Sequence, residues 1–334
     1  MKTILVTGGA GFLGRNLCEK LLQDENNKVV CLDNLVTGSR NNIKNFMFNP
    51  NFIFVEHDIT KQFPSGFMNE TAEFIEDDSG RGFPAGRFIK NKINEIYHLA
   101  CIASPPKYKE LSLETLNTSF NGTKNVLELA KTHGAKVLFS STSEVYGDPL
   151  VHPQPEEYFG NVNTVGERSC YDEGKRVAES LIYEYTRKFN MDIKIVRIFN
   201  TYGPYMDIND GRVITNFIKQ IIAEEYLMIH GDGFQTRSFC YVSDMIDGFL
   251  RMMASDEKGP INLGNPYCEF TLNELVRHFE DLTGKRLIAQ HIDATENDPK
   301  QRKPIIEKAQ KLLGWEPQVK LEEGLRKTFR YFVG

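Results

Sequence analysis

Short apolar runs that alternate with amphipathic stretches dominate the first two thirds of the chain. Amphipathic periodicity between the runs predicts helices, notably over Leu116–Lys131 and over the segment that begins at Tyr171. The strand-like runs stand at Thr3–Thr7, Lys28–Asp33, Phe52–Val55, Glu95–Ala100, Lys136–Ser140 and Ile193–Phe199. This β-α-β order predicts an α/β fold with a doubly wound, parallel sheet of the Rossmann type.

Beyond Phe199 the pattern becomes mixed. Val213–Glu225 predicts a helix, Leu227–His230 a short strand, and Arg237–Phe239 begins a segment that we expect to return to the main sheet. We therefore expect a nucleotide-binding domain over residues 1–199, rejoined by a segment near 238–262. A smaller, discontinuous substrate-binding lobe is expected over residues 200–330.

A glycine-rich turn directly follows the first predicted strand. Gly9, Gly11 and Gly14 match G-x-G-x-x-G, and Gly8, Gly11 and Gly14 also match a wider spacing. Glycine is needed where the backbone turns sharply and where pyrophosphate approaches main-chain N–H groups. The second predicted strand ends in Asp33, an acid placed to bind ribose hydroxyls, so the order predicts NAD binding. NADP remains an alternative cofactor, because the Arg40 guanidinium can bind the additional 2′-phosphate.

Residues 61–92 interrupt the alternation with a stretch rich in Gly, Pro and Phe. A loop of this length within a compact domain is usually functional or disordered. We favour a solvated insertion over a lid on the substrate.

Tyr171 and Lys175 form the main candidate for chemistry. If the segment is helical, the two side chains lie one turn apart on one face. A phenol has a reference pKa near ~10, and a nearby ammonium lowers it toward the working range of a base. Of thirteen tyrosines, only Tyr171 is followed four residues later by Lys. Thr142 lies in a hydroxyl-rich stretch at the end of a predicted strand, where it can hydrogen-bond the hydroxyl that Tyr171 deprotonates.

Composition excludes several other classes of function. A net charge of −5 argues against a nucleic-acid-binding protein. The six cysteines and seven histidines show no metal-binding spacing, so we expect no metal. No apolar run reaches the length of a membrane span, and the N-terminal apolar stretch is too short for a signal peptide. We therefore expect a cytoplasmic protein that binds no membrane.

Several further motifs carry a family resemblance. Besides the glycine turn and Tyr171-x-x-x-Lys175, they include His98–Cys101, Ala103–Pro106, Ser141–Pro149, Gly166–Arg176, Arg197–Pro204, Asn209–Val213, Gln235–Phe239, Asn262–Pro266, Asp298–Pro304 and Leu313–Pro317. Together they resemble the extended short-chain dehydrogenase/reductases that act on nucleotide sugars, and most of all the UDP-glucuronate decarboxylases (UDP-xylose synthases). The resemblance covers nearly the whole chain except residues 61–92.

The resemblance implies a reaction in which a hydride passes from the sugar to NAD and later back to the sugar. Tyr171 would deprotonate the 4-hydroxyl of UDP-glucuronate, CO2 would leave the resulting 4-keto sugar, and the hydride would return to C4. Glu144 and Arg237 would act at the carboxylate and at C5. Ser143 stands where related dehydratases carry an acid, which argues against dehydration.

The resemblance also implies binding residues and an assembly. NAD would contact Gly8, Gly11, Phe12, Leu13, Gly14, Asp33, Asn34, Thr37, Gly38, Asp58, Ile59, Leu99, Thr118, Tyr171, Lys175 and Thr201. The nucleotide sugar would contact Asn125, Tyr185, Asn200, Arg212, Arg237 and Arg302. Two copies of the chain would pair as a homodimer through the helices that begin at Leu116 and Tyr171.

The chain departs from the family pattern at two positions, and several alternative functions remain. Asn117 stands where Lys is usual and Tyr205 where Arg is usual, which bears on substrate affinity. An epimerase, a dehydratase, a decarboxylase that releases the keto sugar, and a non-catalytic NAD sensor stay as alternatives.

Overall fold

The computed structural model describes residues 1–63, 73–76, 82–85, 92–293 and 300–334, with only the backbone given for 73–76 and 82–85. The insertion predicted over residues 61–92 therefore lies largely outside the described residues, and its role stays a prediction.

A seven-stranded sheet is the centre of the fold. The strands of the chain are β1 (Lys2–Thr7), β2 (Asn27–Asp33), β3 (Phe52–Glu56), β4 (Glu73–Glu76), β5 (Gly82–Ala85), β6 (Glu95–His98), β7 (Lys136–Thr142), β8 (Ile193–Ile198), β9 (Thr201–Tyr202), β10 (Leu227–His230), β11 (Thr236–Ser238), β12 (Cys240–Tyr241), β13 (Ile261–Leu263), β14 (Glu269–Thr271), β15 (Ala289–Ile292) and β16 (Gln301–Arg302). The order in the main sheet is β13-β8-β7-β6-β1-β2-β3. In the register, Leu5 lies opposite Val30 on one side and Ile96 on the other.

Helices connect most of these strands. They are α1 (Phe12–Leu21), α2 (Arg40–Ile43), α3 (Pro105–Glu110), α4 (Ser112–Asn117), α5 (Thr123–His133), α6 (Ser169–Phe189), α7 (Val213–Ile222), α8 (Val242–Ala254), α9 (Leu272–Thr283), α10 (Glu307–Leu313) and α11 (Leu321–Val333). The central strands are buried on both faces, which is why they appear in the sequence as continuous apolar runs rather than as alternating ones. The predicted Rossmann-type sheet is confirmed.

One predicted helix is divided in the structure. The sequence predicts a single helix over Leu116–Lys131, whereas a π-helical turn, Thr118–Gly122, separates α4 from α5. At this turn Gly122 approaches Ile59 so closely that a Cβ would lie 2.7 Å from the Ile59 Cδ1.

The chain forms two compact units. Unit 1 comprises Met1–Ile102, Asn117–Phe139 and Val177–Lys194, and unit 2 comprises Ala103–Leu116, Ser140–Arg176 and Ile195–Gly334. Within unit 2, the buried Trp315 donates its indole N–H to the Asp244 carbonyl at 2.9 Å, and the Asp244 carboxylate accepts from the Gln318 and Val319 amides. These bonds attach the C-terminal segment to α8.

The described residues lack two kinds of feature, a membrane-spanning helix and a metal-binding cluster. No helix among them combines the length and the apolar character that a bilayer-spanning segment requires. Nor does that part of the chain bring three or more His, Cys, Asp or Glu side chains into an arrangement able to hold a metal ion.

Candidate active site

The glycine turn of unit 1 is a close-packed cradle. Gly8 has a φ of +71°, and the Gly11 amide donates to the Gly8 carbonyl at 3.2 Å. A Cβ at Gly14 would lie 2.1 Å from the Gly8 carbonyl oxygen, so any side chain there would displace the turn. Gly11 is the N-cap of α1, and as a glycine it has no side chain to cap the helix. The first N–H groups of α1 therefore face the turn as a main-chain site for pyrophosphate.

Asp33 ends β2 beside this turn. Its Oδ2 accepts from the Ala10 amide at 3.0 Å and its Oδ1 from the Leu35 amide at 2.8 Å. Burial raises the pKa of Asp33, and these amide N–H groups partly offset the effect. Each carboxylate oxygen has a second lone pair for a ribose hydroxyl. A Cβ at Gly38 would lie 2.8 Å from Oδ1, so a larger residue there would crowd the carboxylate.

Arg40 is engaged elsewhere in unit 1. Its guanidinium donates to Glu56 and lies 5.3 Å from the centroid of the Phe54 ring. The acids Asp33 and Glu56 end adjacent strands and repel a 2′-phosphate, and Arg40 is already paired with one of them. The residues of this cradle therefore fit NAD better than NADP.

Two residues predicted to bind substrate also belong to unit 1, where their polar groups already have partners. The Asn125 amide donates to the Ile59 and Lys61 carbonyls at 2.8 and 3.1 Å, which holds the loop after β3. The Tyr185 hydroxyl donates to Glu128 Oε1 at 2.5 Å. Their role in substrate binding stays a prediction.

Unit 2 holds the candidate base. Tyr171 and Lys175 lie in the first turns of α6, as the sequence predicts, and both are buried. The Lys175 ammonium donates to the Ser140 carbonyl, at 2.7 Å, and is thereby held at the end of β7. Tyr171 stacks on Tyr108 with centroids 5.3 Å apart and an interplanar angle of 7°. The orientation of the phenol ring is therefore fixed by packing.

Thr142 lies where β7 ends. Its hydroxyl oxygen accepts from the Glu144 amide, at 3.3 Å, and so caps the short 3-10 helix Ser143–Tyr146. Because the oxygen acts as acceptor in that bond, the Thr142 proton is available to a substrate oxygen.

Glu144 is the centre of a buried cluster of charges in unit 2. Arg302 donates to it through two nitrogens, to Oε1 at 2.6 Å and to Oε2 at 2.7 Å, and Arg168 donates to Oε2 at 2.6 Å. Burial alone would raise the pKa of Glu144, but the guanidinium groups of Arg302, Arg168 and Arg237 outweigh it and hold the pKa at about 2. Glu144 is therefore an anion throughout the physiological range.

Sequence reasoning missed three members of this environment. Arg168 also approaches Asp172, with Nε 3.8 Å from Oδ2, and its guanidinium carbon lies 6.0 Å from the centroid of the Tyr108 ring. Arg168 and Asp172 lie inside the Gly166–Arg176 motif, and this motif is the sequence signal that points to them. Tyr108 had no comparable signal, because its contact with Tyr171 spans a long stretch of chain.

The remaining predicted residues of unit 2 have partners of their own. Arg237 and Arg302 are register partners in the parallel strands β11 and β16. Arg212 donates to the Asp210 carboxylate at 2.9 Å and to the Ala103 carbonyl at 2.9 Å. Thr201 donates to the Phe199 carbonyl at 2.9 Å, and the Asn200 carbonyl accepts from the Cys240 amide.

The predicted residues thus form two groups. Unit 1 holds Gly8, Gly11, Phe12, Leu13, Gly14, Asp33, Asn34, Thr37, Gly38, Asp58, Ile59, Leu99, Thr118, Asn125 and Tyr185. Unit 2 holds Thr142, Glu144, Tyr171, Lys175, Asn200, Thr201, Arg212, Arg237 and Arg302.

Known proteins share both the sequence and the fold. The model of the NAD dependent epimerase/dehydratase family matches residues 4–264. UDP-glucuronic acid decarboxylase 5 of Arabidopsis thaliana is 50% identical over 334 residues, spanning 99% of this chain and 90% of that protein. UDP-glucuronic acid decarboxylase 1 of Xenopus tropicalis is 45% identical over 331 residues, spanning 99% and 72%. UDP-glucuronic acid 4-epimerase from Bacillus cereus, solved with UDP-glucuronic acid and NAD, superposes with a TM-score of 0.85 at 27% identity, covering 99% of each chain.

The geometry of Asp33 generates a prediction about cofactor preference. Asp33→Asn keeps the side-chain oxygen but removes the charge that repels a 2′-phosphate. We expect the ratio of NAD to NADP affinity to fall by roughly tenfold, a free-energy change of about 1.4 kcal/mol. Titration calorimetry with each cofactor measures the ratio. Glu25→Gln, the same chemical change at an exposed acid of unit 1, should leave it unchanged. Equal affinities in the parent, or an unchanged ratio in Asp33→Asn, would contradict the role of Asp33.

Proposed function

Since the chain belongs to the NAD dependent epimerase/dehydratase family and, within it, to the UDP-glucuronic acid decarboxylases, we propose that it converts UDP-glucuronate into UDP-xylose. The route is oxidation at C4, loss of CO2 and reduction at C4, with NAD as the cofactor. The nucleotide sugar is assigned chiefly to residues 200–330, through Arg212, Arg237 and Arg302.

One observation carries this choice within the family. Decarboxylases share half of the residues of this chain over nearly its full length, whereas the UDP-glucuronic acid 4-epimerase shares 27% over the same extent. Both relatives act on a sugar that has a carboxylate, and the cluster around Glu144 suits such a substrate. Three guanidinium groups, of Arg168, Arg237 and Arg302, face one carboxylate that is an anion, which leaves positive charge for the substrate.

Tyr171 is the proposed general base. Its phenolate would accept the proton of the sugar 4-hydroxyl, and the Lys175 ammonium one turn later favours the phenolate. The Ser140 carbonyl holds that ammonium in place, at 2.7 Å. The Thr142 hydroxyl donates to the same sugar oxygen and keeps it aligned with Tyr171.

Oxidation at C4 prepares the loss of CO2. NAD, when bound, supplies the hydride acceptor at C4 and the same hydride for the final reduction. The resulting ketone is β to the carboxylate, so the electrons of the breaking C5–carboxylate bond delocalise onto the C4 oxygen as an enolate. The Thr142 hydroxyl and Tyr171, now protonated, stabilise that oxygen through hydrogen bonds.

Glu144 is proposed to orient arginines rather than to transfer a proton. Its carboxylate accepts hydrogen bonds from Arg302 and Arg168, and with a pKa of about 2 it holds no proton at neutral pH. The proton that C5 receives therefore comes from another donor. Arg302 and Arg168, held rigidly by Glu144, keep their other N–H groups directed at the anionic substrate.

The identity of the product tests this proposal. Incubation of the protein with UDP-glucuronate and NAD should give UDP-xylose, with no net accumulation of reduced cofactor, as followed by mass spectrometry and absorbance. Tyr171→Phe should retain NAD binding and lose turnover by at least ~100-fold. Tyr226→Phe, which removes the hydroxyl of an exposed tyrosine, is the matched control and should keep the activity of the parent.

The other products each contradict a part of the proposal. UDP-galacturonate of unchanged mass would assign the chain to the 4-epimerases. A free 4-keto pentose with stoichiometric reduced cofactor would assign it to decarboxylases that release the intermediate. Turnover of Tyr171→Phe within a few-fold of the parent would show that another group takes the proton.

We also propose that the protein is a homodimer that pairs through helices of unit 1. Phe120, Val177 and Tyr183, which lie on two helical segments of unit 1, are 41%, 39% and 65% exposed. Burial of these side chains against a second copy would remove them from water.

Light scattering measures this assembly. At micromolar concentration the mass should be that of a dimer, and Phe120→Glu should shift it toward a monomer because a charge would be buried at the interface. Phe48→Glu, at a side chain that is 86% exposed, should not change it. A monomeric parent, or equal masses for both variants, would remove this assignment.

A further inference from the structure

Arg168 is shared between two carboxyl groups of unit 2. Its Nη2 donates to Glu144 Oε2 at 2.6 Å, while its Nε lies 3.8 Å from Asp172 Oδ2. The first contact has the length of a charge-assisted hydrogen bond, and the second is too long for one. Arg168 is therefore committed to Glu144 and only adjacent to Asp172.

Asp172 is buried, and within the part of the chain that the structure describes one of its carboxyl oxygens has no hydrogen bond. The residue is 7% exposed, and its Oδ1 has no hydrogen-bond partner among the described residues. Burying an ionised carboxylate in such a position is much less favourable in free energy than burying a protonated carboxyl. Asp172 is also the residue directly after the proposed base.

Among the described residues, charged and titratable groups from several segments act on Asp172. Arg168 and Glu173 flank it along its own stretch of chain, Glu144 belongs to the 3-10 helix after β7, Arg302 to β16 and Tyr108 to α3. An ionised Asp172 is thus repelled by Glu144 and attracted by Arg168, the residue that holds Glu144.

We propose, on the basis of the decarboxylase function above, that Asp172 is a positioning residue whose protonation determines whether Arg168 holds Glu144. A neutral Asp172 leaves the Arg168 guanidinium to Glu144, and the arginines stay aligned for substrate. An ionised Asp172 competes for Arg168, draws it away from Glu144 and disturbs the alignment. The proton passes to and from water, and no other group changes its charge.

Electrostatics support this arrangement. Burial, followed by repulsion from Glu144, raises the pKa of Asp172 from 3.8 to about 8, despite the opposing effect of Arg168. The site would therefore be aligned at neutral pH and would lose alignment at mildly alkaline pH.

The pH profile of turnover tests the proposal. In the parent, kcat for UDP-glucuronate should fall with an alkaline midpoint near the Asp172 pKa of about 8. In Asp172→Asn the amide mimics the protonated carboxyl, so the midpoint should move to higher pH by at least ~1 unit, toward the next group to titrate. Glu184→Gln, the same change at a surface ion pair with Arg187 on α6, should leave the midpoint in place.

A second measurement does not depend on turnover. Because folding raises the pKa of Asp172, the folded chain binds that proton more tightly, and the contribution of Asp172 to the stability of the parent falls as pH rises from about 4 to about 8. The Tm of Asp172→Asn minus that of the parent should therefore increase over this range. Asp172→Ser repeats both measurements if the amide variant fails to fold.

The outcomes separate the two proposals. A parent that turns over UDP-glucuronate with the same alkaline midpoint as Asp172→Asn would overturn the role of Asp172 and leave the decarboxylase function standing. A difference in Tm that does not vary with pH would overturn it as well. A parent without activity, but with the expected change in Tm, would instead count against the proposed function.

Discussion

The two-point ion pair between Glu144 and Arg302 is the interaction on which the rest of the candidate site depends. It joins the segment after β7 to β16 across a sequence separation of 158 residues, and Arg168, just before α6, binds the same carboxylate. Taking these charges out of water is costly, and removal of one partner of such a buried pair typically destabilises a protein by about 3–5 kcal/mol. The pair therefore persists only because its geometry satisfies both carboxylate oxygens.

A buried polar network keeps Arg302 in position from the other side of its segment. The main-chain N–H of Gln154 donates to the Lys303 carbonyl at 2.8 Å. The main-chain N–H of Lys303 donates to the side-chain oxygen Oε1 of Gln154, also at 2.8 Å. The Asn262 side chain adds donors to the Gln154 and Ile305 carbonyls, at 3.0 and 3.1 Å. Fully satisfied networks of this kind favour a single arrangement, since any shift leaves buried polar groups unpaired. Arg302 is thus held in one position by the protein itself, which suits the proposed role of Arg302 in orienting an anionic sugar.

Local chemistry explains what could be predicted from the sequence. The glycine turn, Asp33 and the Tyr171-to-Lys175 spacing are short-range patterns, and the structure places each in the element that the pattern predicts. The sequence did not predict Arg168, Asp172 and Tyr108 as members of the site. Their significance depends on contacts with residues distant in sequence, such as Glu144 and Tyr171. The π-helical turn was not predicted for a related reason. Helical periodicity in the sequence carries no information on how closely Gly122 approaches Ile59.

In the proposed reaction, C4 of the sugar would lose and regain the same hydride, with NAD as the acceptor and donor, and CO2 would leave from C5 in between. Turnover of UDP-glucuronate in D2O tests it most directly, with deuterium located by NMR. We expect one deuterium at C5 of the UDP-xylose, because the enolate takes its proton from solvent, and none at C4, because the returning hydride originated from the substrate. Deuterium at C4, or protium alone at C5, would contradict it.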